Sequence, residues 1–147
     1  MNEIEQKFRK YFEPQELVSI LHYNEFIDKN EIYNLFTNEL KAVVVHIRES
    51  VGLPMTINNW HTYGAFQQRG YRDRTTTVGA PKSAHREGMA IDFDFRGITA
   101  ERGRELIIQK AMKGLPYPIR IEEGVNWIHI DVRRVFTNDH KINYFRP

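Results

Sequence analysis

The sequence predicts an α+β fold, in which helices pack against a small, mostly antiparallel sheet. Three observations predict it. Residues 1–50 carry apolar residues at helical spacing, two later segments alternate strictly between apolar and polar residues, and the last strands follow one another through short turns. The length of 147 residues suits one domain. We therefore expect a single domain over residues 1–147, with a helical scaffold at 1–50 and the functional core at 54–133.

The first third of the chain is predicted to be helical. Pro14 favours a first helical turn, and Asp28 and Glu31 have the spacing of a capping box that begins a longer helix. Gly52 and Pro54 are expected to end that helix. The apolar residues at helical spacing are Leu17, Ile20 and Leu21, followed by Ile32, Leu35, Phe36, Leu40, Val43 and Ile47.

A long loop precedes the alternating segments. After a short strand at Met55 to Ile57, residues 58–82 contain several glycines and the basic run RGYRDR, and they show no periodicity. Loops of this length within a compact domain are uncommon and usually functional. We therefore expect this loop to contribute to a binding site.

Three further strands and one helix are predicted after this loop. GMAIDFDF alternates, with Met89, Ile91, Phe93 and Phe95 on one face and Ala90, Asp92 and Asp94 on the other. A helix is expected from about Ala100 to Lys113, capped by Thr99 and stopped by Gly114. The strands Pro118 to Glu122 and Asn126 to Arg133 are joined by a tight turn at Glu123 and Gly124. Tyr144 and Phe145 are candidates for a last edge strand.

Composition excludes several classes of function. The 21 Lys and Arg residues nearly balance the 19 Asp and Glu residues, so composition gives no support for a nucleic-acid partner, although RGYRDR with its neighbouring aromatics is the motif such a partner would use. The chain has no cysteine, so any metal must be held by His, Asp or Glu. The N-terminus MNEIEQKFRKYF has no apolar stretch that would form a signal peptide, and no segment is long enough to cross a membrane. We expect a monomer that remains in the cytoplasm unless something else releases it.

The alternating segments predict a metal site. In WIHIDVR the apolar residues Ile128, Ile130 and Val132 point to the core, so His129 points to the opposite, polar face, as Asp92 does in its own strand. His85 lies just before that strand. If the two strands share a sheet, two imidazoles and one carboxylate converge and leave a fourth position open, which is the ligand set of a catalytic zinc site.

The same residues resemble a known family. Residues 83–92, SAHREGMAID, match the S-x-H-x-x-G-x-A-x-D signature of the D-alanyl-D-alanine carboxypeptidase and dipeptidase family, and Trp127-Ile-His129 is similar to its W-x-H segment. That family includes phage endolysins and shares its fold with the Hedgehog signalling domain. INNWHTYGAFQQRGYR looks like the family segment that supplies a substrate-binding arginine. The resemblance, which covers about residues 54–133, implies a Hedgehog/DD-peptidase-like fold and one zinc ion held by His85, Asp92 and His129.

The chain departs from the family at one position. Many members carry a glutamate as general base three residues before the last histidine, but this chain has Asn126, which cannot accept a proton. A register that pairs Ile121 with Ile128 would place Glu122 on the zinc face, diagonal to His129. Glu122 is therefore preferred as the base over Glu123, which is expected to be a solvated charge in the turn.

Several supporting residues have two interpretations each. Among the loop arginines Arg69, Arg72 and Arg74, one is predicted to bind a substrate carboxylate, with Arg72 preferred, and each can also be a solvated or ion-paired residue. Ser83 either binds the substrate backbone or caps the turn before His85. Trp127 is a candidate for a wall of the cleft. Asp131 either orients His129 or pairs with Arg133 or Arg134. The remaining histidines His22, His46 and His140 are expected to be structural.

The expected function is hydrolysis by zinc of peptidoglycan stem peptides or of peptides that contain D-alanine. The resemblance implies a carboxypeptidase or an endopeptidase. The alternative is a zinc-containing binding or phage structural module on the same fold, which Asn126 favours.

Overall fold

The computed structural model describes residues 1–73, 83–133 and 141–147, and it confirms the predicted α+β class. One five-stranded sheet has the spatial order β1-β2-β4-β3-β5. All neighbouring strands are antiparallel except β3 and β5, which run parallel. The strands are β1 (Met55–Thr56), β2 (Ala90–Phe95), β3 (Ile119–Glu122), β4 (Ile128–Asp131) and β5 (Ile142–Phe145).

Helices fill most of the described chain outside the sheet. The α-helices are α1 (Glu3–Tyr11), α2 (Ile20–Glu25), α3 (Asn38–Val51) and α4 (Ala100–Leu106), and α4 continues as a π-helical turn at Ile107–Ala111. Short 3-10 turns lie at Pro14–Glu16, Lys29–Leu35, Trp60–Thr62 and Ala84–Glu87. No helix in the described parts of the chain is both long and apolar enough to cross a bilayer.

The predicted long helix beginning at Asp28 is wrong. The segment Lys29–Leu35 is a 3-10 turn, and Phe36 then has an extended backbone before α3 begins. Thr37 caps α3 by accepting a hydrogen bond from the Leu40 amide, while its own amide donates to the carbonyl of Gly88. This contact with Gly88, a residue far along the chain, separates the 3-10 turn from α3, although the apolar residues of both segments follow one helical periodicity.

The helix predicted after Pro14 is also shorter than expected. Pro14 does occupy a first turn, but the turn ends at Glu16, and Ser19 caps the separate helix α2. Ile20 and Leu21 are therefore exposed rather than part of an apolar stripe. The end of α3 and the start of α4 agree with the prediction, because Gly52 takes the left-handed backbone after α3 and Thr99 caps α4. The helix predicted to reach Lys113 is shorter, since the π-helical turn ends at Ala111.

The register of β3 against β4 differs from the predicted one. Ile121 pairs with Ile130, and Arg120 pairs with Asp131, so the strands are offset by two residues from the expected Ile121–Ile128 pair. The reason is the connection: residues 123–127 form an open loop around Gly124, whose φ is +78°, instead of a tight turn. The shift of an even number of residues keeps every side chain on its predicted face.

The sheet separates the hydrophobic core from a polar face. Helix α3 and the π-helical turn belong to the core, which also takes one face of β2, β3 and β4 through Ile91, Phe93, Ile121, Ile128 and Ile130, all fully buried. Alternation therefore places Asp92 and His129 on the other face, as predicted.

Candidate metal centre

Three local structures position the predicted metal ligands. Asp92 and His129 are directly paired across β2 and β4. His85 lies in the turn Ala84–Glu87, which Ser83 caps by accepting a hydrogen bond from the His85 amide. Gly88 ends this turn with a φ of +69°, where a Cβ would collide with the carbonyl of Leu35. Only glycine allows the chain to turn there and enter β2.

The ligand atoms of these residues face each other at distances that suit a metal ion. Two ligands at about 2.1 Å from one tetrahedral ion lie about 3.4 Å apart. His85 Nε2 lies 3.3 Å from both His129 Nδ1 and Asp92 Oδ1. His129 Nδ1 and Asp92 Oδ1 are 2.7 Å apart, a hydrogen-bond distance that must lengthen when an ion binds between them. This buried group of three side chains can hold a metal ion.

Each imidazole is oriented by a partner on its far side. His85 Nδ1 lies 2.9 Å from the carbonyl of Gly70, and since a carbonyl only accepts, Nδ1 carries the proton and Nε2 is left as the ligand atom. Gly70 is itself buried against Leu17, where a Cβ would collide with the Leu17 carbonyl. Hydrogen bonds of this kind fix the tautomer and the ring orientation of metal-binding histidines.

His129 is oriented by a carboxylate. Its Nε2 donates to Asp131 Oδ2 at 2.8 Å, which leaves Nδ1 to face His85 and Asp92. Asp131 is fully buried, and Arg120 grips both of its oxygens at 2.8 Å. The Arg120 guanidinium also stacks over the ring of Phe145, 4.3 Å from its centroid. The interpretation of Asp131 as a partner of His129 is confirmed, although the backbone amide of Arg133 also donates to it.

The charges of the centre are strongly coupled. Burial alone would raise the pKa of Asp92, but its hydrogen bond with His129 and the close approach of the His85 ring outweigh burial and lower that pKa well below its usual range. Burial would likewise lower the pKa of His129, yet its hydrogen bonds to Asp131 and Asp92 raise the pKa to about 9. Asp92 and Asp131 thus favour the protonated form of His129. A metal ion bound at His129 Nδ1 would take the place of the proton on that atom.

Arg72 lies beside the centre. Its Nη2 donates to Asp92 Oδ2 at 3.3 Å and its Nε donates to the carbonyl of Gln68 at 2.8 Å. The side chain is thus held against Asp92 and still lines the cleft described below. Arg69, by contrast, pairs with Asp94 at 2.7 Å and stacks on Phe66.

The centre opens into a groove made of two pockets. The first has a volume of about 430 Å³ and contains all three ligands, and the second has about 300 Å³. Both pockets are lined by Arg72, Asp92 and Trp127, so they adjoin at these residues. The first is also lined by Ser83, Arg120, Glu122, Asp131, Arg133 and Phe145.

Glu122 lies on the open side of the centre. Its carboxylate is 4.0 Å from His129 Nδ1, because the observed register continues to place Glu122 opposite His129 rather than diagonal to it. Glu123 lies in the loop, with Arg146 3.8 Å away. Asn126 is exposed and borders another pocket, with Asp94 and Thr99.

The remaining predicted residues are distributed around the groove. Ser83 both caps its turn and lines the first pocket, and Trp127 is half-buried at the junction of the two pockets. His46 is structural, since its Nε2 lies 2.8 Å from the Ala111 carbonyl. Arg74, Arg134 and His140 lie outside the described residues.

Arg120 is the residue of the centre that the sequence analysis missed. Alternation in IRIE places it on the same polar face as Glu122, which was a usable signal. Its pairing with Asp131 depends on the register of β3 and β4, which the sequence did not predict correctly.

Replacing Asp131 by Asn should weaken metal binding by about ten- to a hundredfold, because the buried charge that orients and polarises His129 is lost. Metal affinity measured by competition with a chelator checks this. Asp94→Asn is the matched control, since Asp94 is on β2 but pairs with Arg69 instead of a metal ligand. Equal affinities for Asp131→Asn and wild type would show that Asp131 does not tune the centre.

Comparison of the chain with protein-family models, with curated proteins and with solved structures found no match.

Proposed function

We propose that this protein is a zinc-dependent peptidase of the Hedgehog/DD-peptidase fold that hydrolyses peptidoglycan stem peptides or peptides ending in D-alanine. The observation that carries the proposal is the convergence of His85, Asp92 and His129, with each imidazole already oriented by a hydrogen bond on its far side. Two histidines, one carboxylate and an open side are typical of a catalytic rather than a structural zinc site.

Zinc is the ion that best suits these donors. The centre has two nitrogens, one oxygen and no thiolate, and two of the three separations between these atoms are close to those around a tetrahedral ion, as imidazole-rich zinc sites require. Zinc supplies Lewis-acid chemistry when bound, because it polarises a carbonyl group and lowers the pKa of an attacking water.

Glu122 is the proposed general base. It faces the open side of the centre, where it can accept the proton of the attacking water and pass it to the leaving amine. The family position for this base is Asn126, whose side chain lacks a basic group and borders a different pocket. The Glu122 carboxylate, on the neighbouring strand β3, thus serves as the base in place of the loop residue Asn126.

The groove favours a substrate that carries negative charge. Arg72, Arg120 and Arg133 line the pocket that contains the centre, and Arg69 lines the adjoining one. Arginine forks bind carboxylates in a fixed geometry. Stem peptides carry carboxylates at their terminus and on their acidic residue, and a groove that extends beyond the centre suits an extended peptide.

Metal analysis followed by digestion of defined peptidoglycan fragments tests the proposal. Purified protein should retain about one zinc ion per chain and should shorten or divide the stem peptides, as read by mass spectrometry. A chelator should abolish this activity and added zinc should restore it. Loss of a terminal alanine would identify a carboxypeptidase, and cleavage within the stem an endopeptidase. Retained zinc without cleavage of any fragment would reject a peptidase.

The second candidate function is a non-catalytic zinc-containing binding or phage structural module. The observation that favours it is Asn126 in place of the expected glutamate. In that case zinc removal should lower stability, while Glu122→Gln should change nothing measurable.

Arg72→Lys should raise the Michaelis constant markedly with zinc retained, because lysine lacks the planar fork that binds a carboxylate. Steady-state kinetics on a peptide with a free terminal carboxylate measure this. Arg69→Lys is the comparison, since Arg69 is paired with Asp94. If Arg69→Lys alone raised the constant, the role would belong to Arg69. If neither variant did, an endopeptidase that needs no terminal carboxylate would be favoured.

A further inference from the structure

Outside the main centre, one further histidine is buried in the described parts of the chain, and its Nδ1 has no hydrogen-bond partner there. His22, on α2, is only 8% exposed, and its ring contacts those of Phe26 and Tyr71, with centroids 5.1 and 5.6 Å away. Its Nδ1 is fully enclosed and makes no hydrogen bond within the described residues. A buried nitrogen in that condition destabilises a fold unless something binds it.

Two carboxylates lie beside this histidine. Glu25 is three residues further along α2, on the same side of the helix as His22, and Asp73 approaches from the long loop. One ligand atom from each of the three residues lies within 4.8 Å of the others. His22 Nδ1 and Asp73 Oδ2 are 3.8 Å apart, too far for a hydrogen bond, whereas two bonds of about 2.2 Å to one ion can span that distance.

The pocket beside His22 carries three carboxylates, while the guanidinium of Arg86 donates to the backbone carbonyl of Asp73. His22 and Glu25 border an open pocket of about 520 Å³ that is also lined by Asp28 and Glu31. Within residues 1–73, 83–133 and 141–147, no Lys or Arg forms an ion pair with Glu25, Asp28 or Glu31. The nearby ammonium of Lys29 instead donates to the carbonyls of Tyr23 and Phe26.

We propose that His22, Glu25 and Asp73 form a second site for a divalent cation. One imidazole and two carboxylates suit a first-row ion such as Mn²⁺ or Zn²⁺. The site should bind more weakly than the main centre, because Glu25 is exposed and must be ordered when the ion binds.

An ion at this site would link α2 to the loop segment that contacts the main centre. The Tyr71 amide donates to the carbonyl of Leu17, and the Arg72 amide donates to the carbonyl of His85. Asp73 follows directly, so its bond to the ion would restrain the chain on both sides of Arg72, whose side chain contacts Asp92. The second site is therefore a tether for the residue proposed to bind substrate.

Titration with Mn²⁺ tests this site. The protein is first loaded with one equivalent of zinc per chain, which fills the tighter main centre, and Mn²⁺ is then added while free Mn²⁺ is measured by electron paramagnetic resonance. We expect one saturable Mn²⁺ per chain that selectively broadens the NMR signals of Phe26 and Tyr71. Glu25→Gln should weaken this binding by at least about tenfold, since losing a ligand costs at least as much as losing a partner that orients one.

Glu31→Gln is the matched control, because it removes an exposed carboxylate from the same pocket without removing a proposed ligand. Its Mn²⁺ affinity should stay close to that of wild type. Since Glu25 is exposed, its replacement leaves the buried packing of His22 intact, and circular dichroism verifies that the variant is folded. Equal affinities for Glu25→Gln and wild type, or no saturable Mn²⁺ at all, would overturn the proposal. The comparison of the two variants does not depend on whether the main centre is catalytic.

Discussion

His129→Ala should reduce bound zinc from about one ion per chain to almost none, because it removes one of the three proposed ligands found among the described residues. His85→Ala and Asp92→Ala should do the same. Elemental analysis after desalting measures the loss. His46→Ala is the matched control, since this histidine bonds the Ala111 carbonyl in the helical layer and should leave the zinc content unchanged.

The affinity of the centre for zinc should also depend on pH. The pKa of His129 is raised to about 9, so below that pH the imidazole holds a proton that an incoming ion must displace. Zinc affinity should therefore fall as the pH falls, and binding near pH 7 should release protons. Calorimetry in buffers with different ionisation enthalpies measures the number released. Full zinc occupancy in His129→Ala, or affinity independent of pH, would mean that the ion lies elsewhere.

Glu122→Gln should lower turnover by about two to four orders of magnitude while the zinc remains bound. Glutamine keeps the shape of the side chain but cannot accept a proton, and Glu122 is the carboxylate that lies 4.0 Å from His129 on the open side of the centre. Turnover on a defined stem peptide, together with zinc content, separates loss of the base from loss of the metal.

Glu123→Gln is the control for this prediction. Glu123 is the next residue along the chain, but it lies in the loop, where its nearest basic partner is Arg146. Its replacement should have little effect on turnover. If Glu122→Gln were as active as wild type, another group would be the base. If the wild type itself were inactive, the binding-module alternative would be favoured.

Some elements were predictable because they depend on local sequence. Alternation assigned the faces of β2 and β4, and Thr99 and Gly52 marked the start of α4 and the end of α3. The extent of the helices was less predictable. The apolar spacing from Ile32 to Ile47 suits one helix, but a hydrogen bond from the Thr37 amide to Gly88 interrupts it. Periodicity alone does not reveal such a contact between distant residues.

By itself, the sequence determined which side chains share the polar face, because successive residues of a strand point to opposite sides whatever its partner. It thereby placed Asp92, His129 and Glu122 on one face, whereas His85 was identified by its position just before β2 and by the motif SAHREGMAID. Only the tertiary structure decided the partners of these residues. The β3–β4 register joins Arg120 to Asp131, and the path of the long loop brings Gly70 to His85 and Asp73 to His22. Those pairings depend on loop lengths and packing between distant segments, which local periodicity does not encode.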